Sequence, residues 1–301
     1  MQVNLQLSII IVSYNTKELL EDCLESIKTA AKRIESETFV VDNNSSDGTS
    51  NLVKSKFNWV KLIENKSNIG FSKANNKAIK EAKGEYILIL NPDTKVGKDT
   101  FTKMINFVQS RKELAVATCR VELPNGKLDK DCRRHFPTPW RAFTHISGLS
   151  KIFSESKIFD QYQMGYIPEY EEHEVDSCIG AFMFVKKSAI KKVGLFDEDF
   201  FFYGEDLDWC WRFKQSGYKI IYTPVTKIIH YKGEASGIKP PSAHLSKATI
   251  ESKKRAVLES TRAMELFYQK HYTDKYPRLI TWAVILSVKL LEKYRLFKLK
   301  F

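Results

Sequence analysis

The residues in this sequence best able to do chemistry are carboxylates and amides that follow apolar runs abruptly. Three such clusters occur: Ser13-Tyr14-Asn15, Asp42-Asn43-Asn44-Ser45 and Asn91-Pro92-Asp93. In an open α/β sheet, ligands collect outside the carboxyl ends of the strands, so three clusters on one sheet edge converge on one site. Any one of them alone is also ordinary turn and capping chemistry, because Asn, Asp and Ser favour turns and helix starts. No Gly-x-Gly-x-x-Gly follows the first apolar run and no Gly-Lys-Ser/Thr occurs, which excludes the dinucleotide fingerprint and the P-loop. A diphosphate on this edge must then be neutralised another way. A carboxylate-held divalent cation, Mg²⁺ or Mn²⁺, is the usual solution, since such ions take oxygen ligands and share them with phosphates.

A fourth cluster interleaves acids with rings, from Asp197 through Phe200-Phe201-Phe202-Tyr203-Gly204-Glu205-Asp206 to Asp208-Trp209. An acid among rings loses solvation, which raises its pKa toward the range of a general base. Gly204 can turn the chain so that Glu205 and Asp206 open a helix, where the dipole favours negative charge. The plainer alternative is that both are simply first-turn helix acids.

The elements that must position these residues are legible in the first third. Leu7–Ser13 is a continuous apolar run, as a strand covered on both faces requires. Residues 17–32 put Leu19, Leu20, Cys23, Leu24 and Ile27 on one helical face. Thr38–Asp42, Val60–Ile63 and Tyr86–Leu90 read as further strands, Asp47 and Thr49 open a helix, and 72–82 is helical. Strands alternating with helices predict an α/β fold with a mostly parallel central sheet flanked by helices. Residues 122–176 lack periodicity and form a long excursion over a site, with a hairpin expected at Asn125-Gly126. Order returns with a strand at Ile179–Val185, a helix at 205–216 and a strand at Lys219–Tyr222, and the chain is helical from about 246. This predicts one domain over 1–240 and a helical extension over 241–301.

The chain has 301 residues, 43% hydrophobic and 28% charged, which is globular composition. Its five cysteines are scattered, with no Cys-x-x-Cys, which argues against a disulfide framework or zinc site and for a reducing compartment. No basic, apolar leader opens the chain, and no run of about 18 apolar residues occurs. A net charge of +12 implies an anionic partner. Without a zinc-finger or RNP-type signature, a nucleotide diphosphate and anionic lipid rank above nucleic acid. Residues 286–301 place Leu286, Leu290, Tyr294, Phe297 and Phe301 on one stripe, flanked by Lys289, Lys293, Arg295, Lys298 and Lys300. Such a helix, within 282–301, fits an anionic membrane surface. The alternatives are docking onto the domain or onto a second subunit in a homodimer.

Several motifs in order make the chain resemble the family-2 inverting glycosyltransferases of GT-A fold, in their bacterial rhamnosyltransferase-like branch. They are Ile10 through Asn15, Val41 through Thr49, Asn65 through Asn76, Asn91-Pro92-Asp93, Gly180-Ala181-Phe182 and Phe202 through Asp208. The resemblance covers about residues 7–232. It implies that Ser13, Tyr14 and Asn15 line a nucleotide pocket and that Asp42, with Asn44 beside it, binds the base or ribose. Asn68, Gly70, Phe71 and Asn75 should border the nucleotide's other side. Asp93 should ligate the metal as the last member of an Asp-x-Asp motif whose first member here is the neutral, weaker ligand Asn91. His230 matches a late histidine that can ligate the same metal. Asp206, or failing it Glu205, should be the catalytic base. The implied activity is transfer of L-rhamnose from dTDP-L-rhamnose to a lipid-linked or polysaccharide acceptor in cell-surface polysaccharide synthesis, by a cytoplasmic protein peripheral on the inner face of the bacterial plasma membrane. A UDP- or GDP-sugar donor fits the same motifs. A processive synthase fits less well, because Gln-x-x-Arg-Trp is missing. Of other classes, a non-catalytic nucleotide-binding scaffold and a nucleotidyltransferase stay open. Intact Asp42, Asp93 and Glu205-Asp206 weigh against the first, and Ser13 through Thr16, which is not a Gly-rich basic loop, against the second.

Overall fold

The computed structural model describes residues 5–232 and 249–299. Its first half is a run of strand and helix: β1 (Leu7–Ser13), α1 (Lys17–Ala30), β2 (Ser36–Asp42), α2 (Thr49–Lys56), β3 (Lys61–Glu64), α3 (Phe71–Glu81) and β4 (Tyr86–Leu90). The apolar runs make these strands central: every residue of β1 and β4 is buried. The stripe Leu20, Cys23, Leu24 and Ile27 seats α1 on the core. β3, β2, β1 and β4 lie side by side and parallel, with Ser13 in register with Asp42, and Asp42 with Glu64. The three polar clusters therefore share one sheet edge.

The chain continues through β5 (Thr94–Val96), α4 (Thr100–Gln109), β6 (Leu114–Glu122), α5 (Pro139–Ile146), α6 (Leu149–Ile152), β7 (His173–Glu174), β8 (Phe182–Lys186), α7 (Lys187–Val193), α8 (Glu205–Gln215) and β9 (Lys219–His230). The sheet extends from β4 in the order β8-β6-β9-β5, with β7 on β9. Parallel pairing dominates on the β1 side, and beyond β4 the sheet is mixed. β8 is antiparallel to β4 and β6, β6 and β9 are parallel, and β5 and β7 run antiparallel to β9.

Local differences from expectation have local causes. The last strand runs past Tyr222 to His230, because the pairing shifts register between Cys119 and Arg120 and that irregularity accommodates Pro224. β8 starts at Phe182 rather than Ile179, because the Phe182 amide closes a turn onto the Ile179 carbonyl at 3.2 Å. Asn125-Gly126 makes a tight turn that closes on one antiparallel bridge, Glu122 to Leu128, rather than a hairpin of two strands.

Two long helices end the described chain, α9 (Ile250–His271) and α10 (Arg278–Lys298). α9 buries Ala263, Phe267 and Tyr268, with Phe267 5.9 Å from Trp211 and 6.3 Å from Phe136. Full burial of such a ring stabilises by about 1.5–3 kcal/mol. α10 lies on α9 through Thr281 against Tyr268, Glu292 against Thr261 at 2.7 Å and Arg295 against Ser260. The apolar stripe therefore does not dock onto the domain: Leu286, Leu290, Tyr294 and Phe297 are exposed. Phe301 and Lys300, the stripe's expected end, lie outside the described residues. No described helix is long and apolar enough to cross a membrane.

Candidate active site

The carboxyl ends of β1, β2 and β3 build a polar pocket. Asp42 is buried and accepts hydrogen bonds from the Ser45 amide at 3.2 Å, from the Ser45 hydroxyl and from the Ser50 hydroxyl at 2.6 Å. Asn15 and Asn44 take left-handed backbone angles (φ 55° and 67°), which asparagine tolerates better than most residues. Asn15 staples the first loop to the second: its amide donates to Ser45 at 2.9 Å, and its side-chain oxygen accepts from the Ser46 amide at 2.8 Å. A cavity of about 300 Å³ opens here, lined by Asp42, Asn44, Ser50, Asn51, Glu64 and Asn65 among others. A wall of acceptors and amides at a sheet switch edge suits a nucleobase and ribose. Tyr14 is exposed beside the loop, whereas Ser13 is fully buried and its hydroxyl bonds Thr16 at 2.8 Å. Sequence reasoning missed Ser50, Asn51 and Glu64. Glu64 was findable as the polar end of a strand in register with Asp42.

Residues 65–76 run from the pocket, which Asn65 lines, to the aromatic loop before Glu205. Gly70 has φ 87°, and a Cβ there would stand 2.6 Å from the Phe201 carbonyl oxygen. The Phe71 amide donates to that same oxygen at 2.7 Å, and the Ser72 hydroxyl donates to the Phe200 carbonyl at 2.6 Å. Asn76 bonds both the amide and the carbonyl of Phe196. The segment thus grips the aromatic loop that leads to Glu205. Asn68 accepts from the Gly70 amide at 3.0 Å and shapes that turn. Asn75 is fully buried in α3, donating to the Phe71 carbonyl at 2.9 Å. Its Oδ1 is buried with no hydrogen-bond partner among the described residues. Asn43 links the two regions, donating to Gly70 and accepting from Asn65.

The pairing of β5 with β9 sets Thr94 opposite His230 and so brings His230 to Asp93. His230 Nε2 lies 3.3 Å from Asp93 Oδ1, and its Nδ1 lies 3.2 Å from Asp129 Oδ2. Lys232 pairs with Asp129 and, at 2.6 Å, with Asp131. Burial alone would lower the His230 pKa. The flanking Asp93 and Asp129 carboxylates overcome it and push the imidazole up to about 9. Asp93 Oδ1 is buried and has no hydrogen-bond partner among the described residues, because the His230 contact misses hydrogen-bond geometry. That orphaned oxygen beside an imidazole nitrogen fits a divalent cation, which would replace the Nε2 proton. Asp129, taking Nδ1, leaves Nε2 for the metal. No group of three or more His, Cys, Asp or Glu that could hold a metal occurs among the described residues, and water and substrate phosphate are ligands that would complete such a site. Asn91 is half-buried, and its backbone carbonyl accepts from the Thr94 hydroxyl at 2.7 Å.

The acidic pair opens α8. Gly204 has φ 81°, and a Cβ there would meet Phe200 at 3.0 Å and Ala263 at 3.1 Å. Asp206 Oδ2 receives a 2.7 Å hydrogen bond from Arg134, and Oδ1 accepts from the Leu207 amide. Arg134 comes from the excursion, held by a reciprocal backbone pair with Ser177 and by Tyr162 at 3.4 Å. Burial would lower its pKa, but the Asp206 charge raises it well above the usual value. Burial, and then the Asp206 charge, push Glu205 up to about 8. Its Oε2 finds no partner among the described residues. The pair is therefore two unlike carboxyls, one facing a guanidinium and one protonated at neutral pH. Asp208 is a structural acid, bonded to Arg212 at 2.7 Å and His271 at 2.9 Å. Sequence reasoning missed Arg134, Asp129 and Lys232, for which spacing carried no signal.

A polar pocket at the strand ends, a buried Asp–His pair and an acidic pair opening α8 against one α/β sheet are the arrangement of a glycosyltransferase of GT-A fold. The chain belongs to glycosyl transferase family 2, whose family model matches residues 8–194. It is a glycosyltransferase. Among its relatives, an N-acetylglucosaminyl-diphospho-decaprenol L-rhamnosyltransferase of Mycobacterium tuberculosis is 26% identical over 251 residues, 80% of each chain. The rhamnosyltransferase WbbL of Escherichia coli K12 is 30% identical over 169 residues, 54% of this chain and 61% of that one. Solved structures share the fold. A Pyrobaculum calidifontis mannosyltransferase in complex with GDP-Man and Mn²⁺ aligns at TM-score 0.57 and 16% identity, covering 99% of this chain and 74% of that one. S. aureus TarS 1-349 with UDP-GlcNAc aligns at 0.55 and 18% identity, covering 98% and 79%.

Proposed function

We propose that the protein transfers L-rhamnose from dTDP-L-rhamnose, with inversion, to a lipid-linked glycan acceptor in cell-surface polysaccharide synthesis. The observation that carries this reading is the acidic pair: Asp206, steadied by Arg134, stands on α8 at the end of an aromatic loop that residues 70–76 lock to the nucleotide edge. The rhamnosyl donor and lipid-linked acceptor are supported by the names of the two relatives. In this reading Asp42 and Glu64 border the base and ribose. Asp206 takes the proton of the acceptor hydroxyl as its oxygen attacks the anomeric carbon. The bond to the departing diphosphate breaks in the same step, and the configuration inverts. Asp93 and His230 would hold Mg²⁺ or Mn²⁺, which when bound neutralises charge on the diphosphate. The excursion forms the acceptor side, and the exposed stripe of α10 rests on an anionic membrane from the cytoplasmic face.

The test is hydrolysis and transfer with a panel of dTDP-, UDP- and GDP-sugars, with Mn²⁺ or Mg²⁺ and with chelator. The expected result is metal-dependent turnover highest with dTDP-L-rhamnose. Turnover only with a UDP- or GDP-sugar replaces the donor assignment, and no binding of any nucleotide sugar overturns the reading. For the tail, vesicle flotation of a chain truncated before Trp282 should show weakened binding.

A further inference from the structure

A second apolar surface lies far from the C-terminal stripe in sequence. On α5, Trp140, Phe143 and Ile146 follow at intervals of three residues and share one exposed face, and Thr144 is the buried residue of the helix. After the left-handed turn at Gly148, Ile152, Phe153 and Ile158 continue the surface. Exposure is high for such residues: 56% for Phe143, 73% for Ile152 and 59% for Ile158. The rings form a connected mat, with Trp140 5.9 Å from Phe143 and 6.1 Å from Phe159, and Phe153 5.0 Å from Phe159. The Trp140 indole N–H is satisfied by the Ile158 carbonyl at 3.0 Å, so the outward face of this ring needs no water. Contiguous exposed apolar surface of this kind marks an interaction site.

We infer that the α5–α6 segment is a membrane-docking knob that inserts into the interface of an anionic phospholipid bilayer. Aromatics and isoleucines beside Lys151 and Lys157, with Glu155 the one exposed acid among 139–158, have the composition of an interfacial segment. Charge selects the bilayer over a second copy of this chain, because two molecules each carrying +12 repel. Position gives the knob a use. The His145 ring lies 4.9 Å from Tyr162, the Tyr162 hydroxyl lies 3.4 Å from Arg134, and Arg134 holds Asp206. A knob seated in the bilayer therefore places the base close to the lipid surface, where a lipid-linked acceptor presents its sugar. That use rests on the proposed lipid-linked acceptor. The docking itself does not, and is measured without substrate.

Trp140 and Trp282 are the exposed tryptophans of the described residues, so Trp140 can report alone in a W282F chain. With phosphatidylglycerol vesicles carrying brominated acyl chains, W282F fluorescence should be quenched, and the quenching should vanish in W140F/W282F. In the otherwise native chain, Phe143→Ser with Ile152→Ser should lower vesicle partitioning about tenfold or more, the loss expected for one or two interfacial side chains. Hydrolysis of the soluble donor should stay unchanged, which shows that the variant is folded. An unquenched Trp140, or a double variant that partitions like the native chain, overturns the proposal. So does a native dimer in sedimentation that the double variant dissolves, since the surface would then belong to a second copy. A failed lipid-acceptor assignment reads differently: Trp140 is quenched, but a water-soluble acceptor is glycosylated equally well with and without vesicles.

Discussion

Replacing Glu205 by Gln removes a carboxyl that the fold keeps protonated. Its pKa is pushed from an ordinary 4.5 to about 8, by burial and then by Asp206, with Arg134 pulling the other way. The folded protein therefore holds a proton between pH 4.5 and pH 8 that the unfolded chain has released. Stability contributed by a raised pKa is fully present below the unfolded value and is lost as pH rises through the folded value. Linkage at 1.36 kcal/mol per unit puts the loss near ~1 kcal/mol at pH 5 and ~3 kcal/mol at pH 7. The Gln amide cannot ionise, and any unmet hydrogen bond it brings is the same at every pH. His230, raised to about 9, also loses stability with rising pH, but both proteins share it and it cancels in the difference. The assay is urea unfolding at pH 5, 6, 7 and 8 of the native chain and E205Q, compared at equal m-values. The expected outcome is a stability difference that grows in favour of E205Q by about 2 kcal/mol between pH 5 and pH 7. A difference constant across that range refutes the buried, protonated carboxyl.

Three further outcomes follow from the geometry. Asp206→Asn should reduce transfer by about 10²–10⁴-fold while calorimetric nucleotide binding survives, and near-native turnover would remove Asp206 as the base. Gly70→Ala forces a Cβ to within 2.6 Å of the Phe201 carbonyl at φ 87°, so it should lower stability by more than about 1 kcal/mol and depress kcat through the aromatic loop, measured by thermal melts and initial rates. Asp129→Asn loosens the partner of His230 Nδ1 and should raise the Mn²⁺ concentration for half-maximal activity about 10–100-fold, with kcat at saturating Mn²⁺ changed much less.

The first four parallel strands and the acidic pair were legible because their signals are local. Burial on both faces writes itself as the unbroken run Leu7–Ser13, and the polar clusters start where such runs stop. The long-range contacts of residues 65–76 were not legible. Gly70 packs close to Phe201, and Phe71 and Asn76 bond backbone atoms of Phe201 and Phe196, contacts more than a hundred residues away that no local spacing signals. Arg134 and Asp129 were invisible for a related reason. An arginine in an aperiodic stretch gives no sign of which carboxylate it will meet, and the meeting depends on its backbone pairing with Ser177.

That aperiodic stretch is what joins the parts of the site. From 122–176 the chain sends Asp129 to His230, Arg134 to Asp206, and the ring mat of α5 and α6 to the exterior. These duties are linked through short backbone connections, since only a few residues separate Asp129, Arg134 and Pro139. A secondary-structure period is what a regular element needs to bury one face, and this segment is held by single polar contacts together with scattered buried side chains such as Cys132, Phe136, Met164 and Val175. Asp129 holds Lys232 and His230, Arg134 holds Asp206, and His135 bonds Asp176 at 2.8 Å. Burial opposes the ionised form of Asp176, yet the His135 hydrogen bond and charge bring its pKa down to about 2, so this anchor stays charged across the working range of pH. The segment without a hydrophobic period is thus positioned in good part by charge, and its charged anchors include the partners of Asp206 and His230.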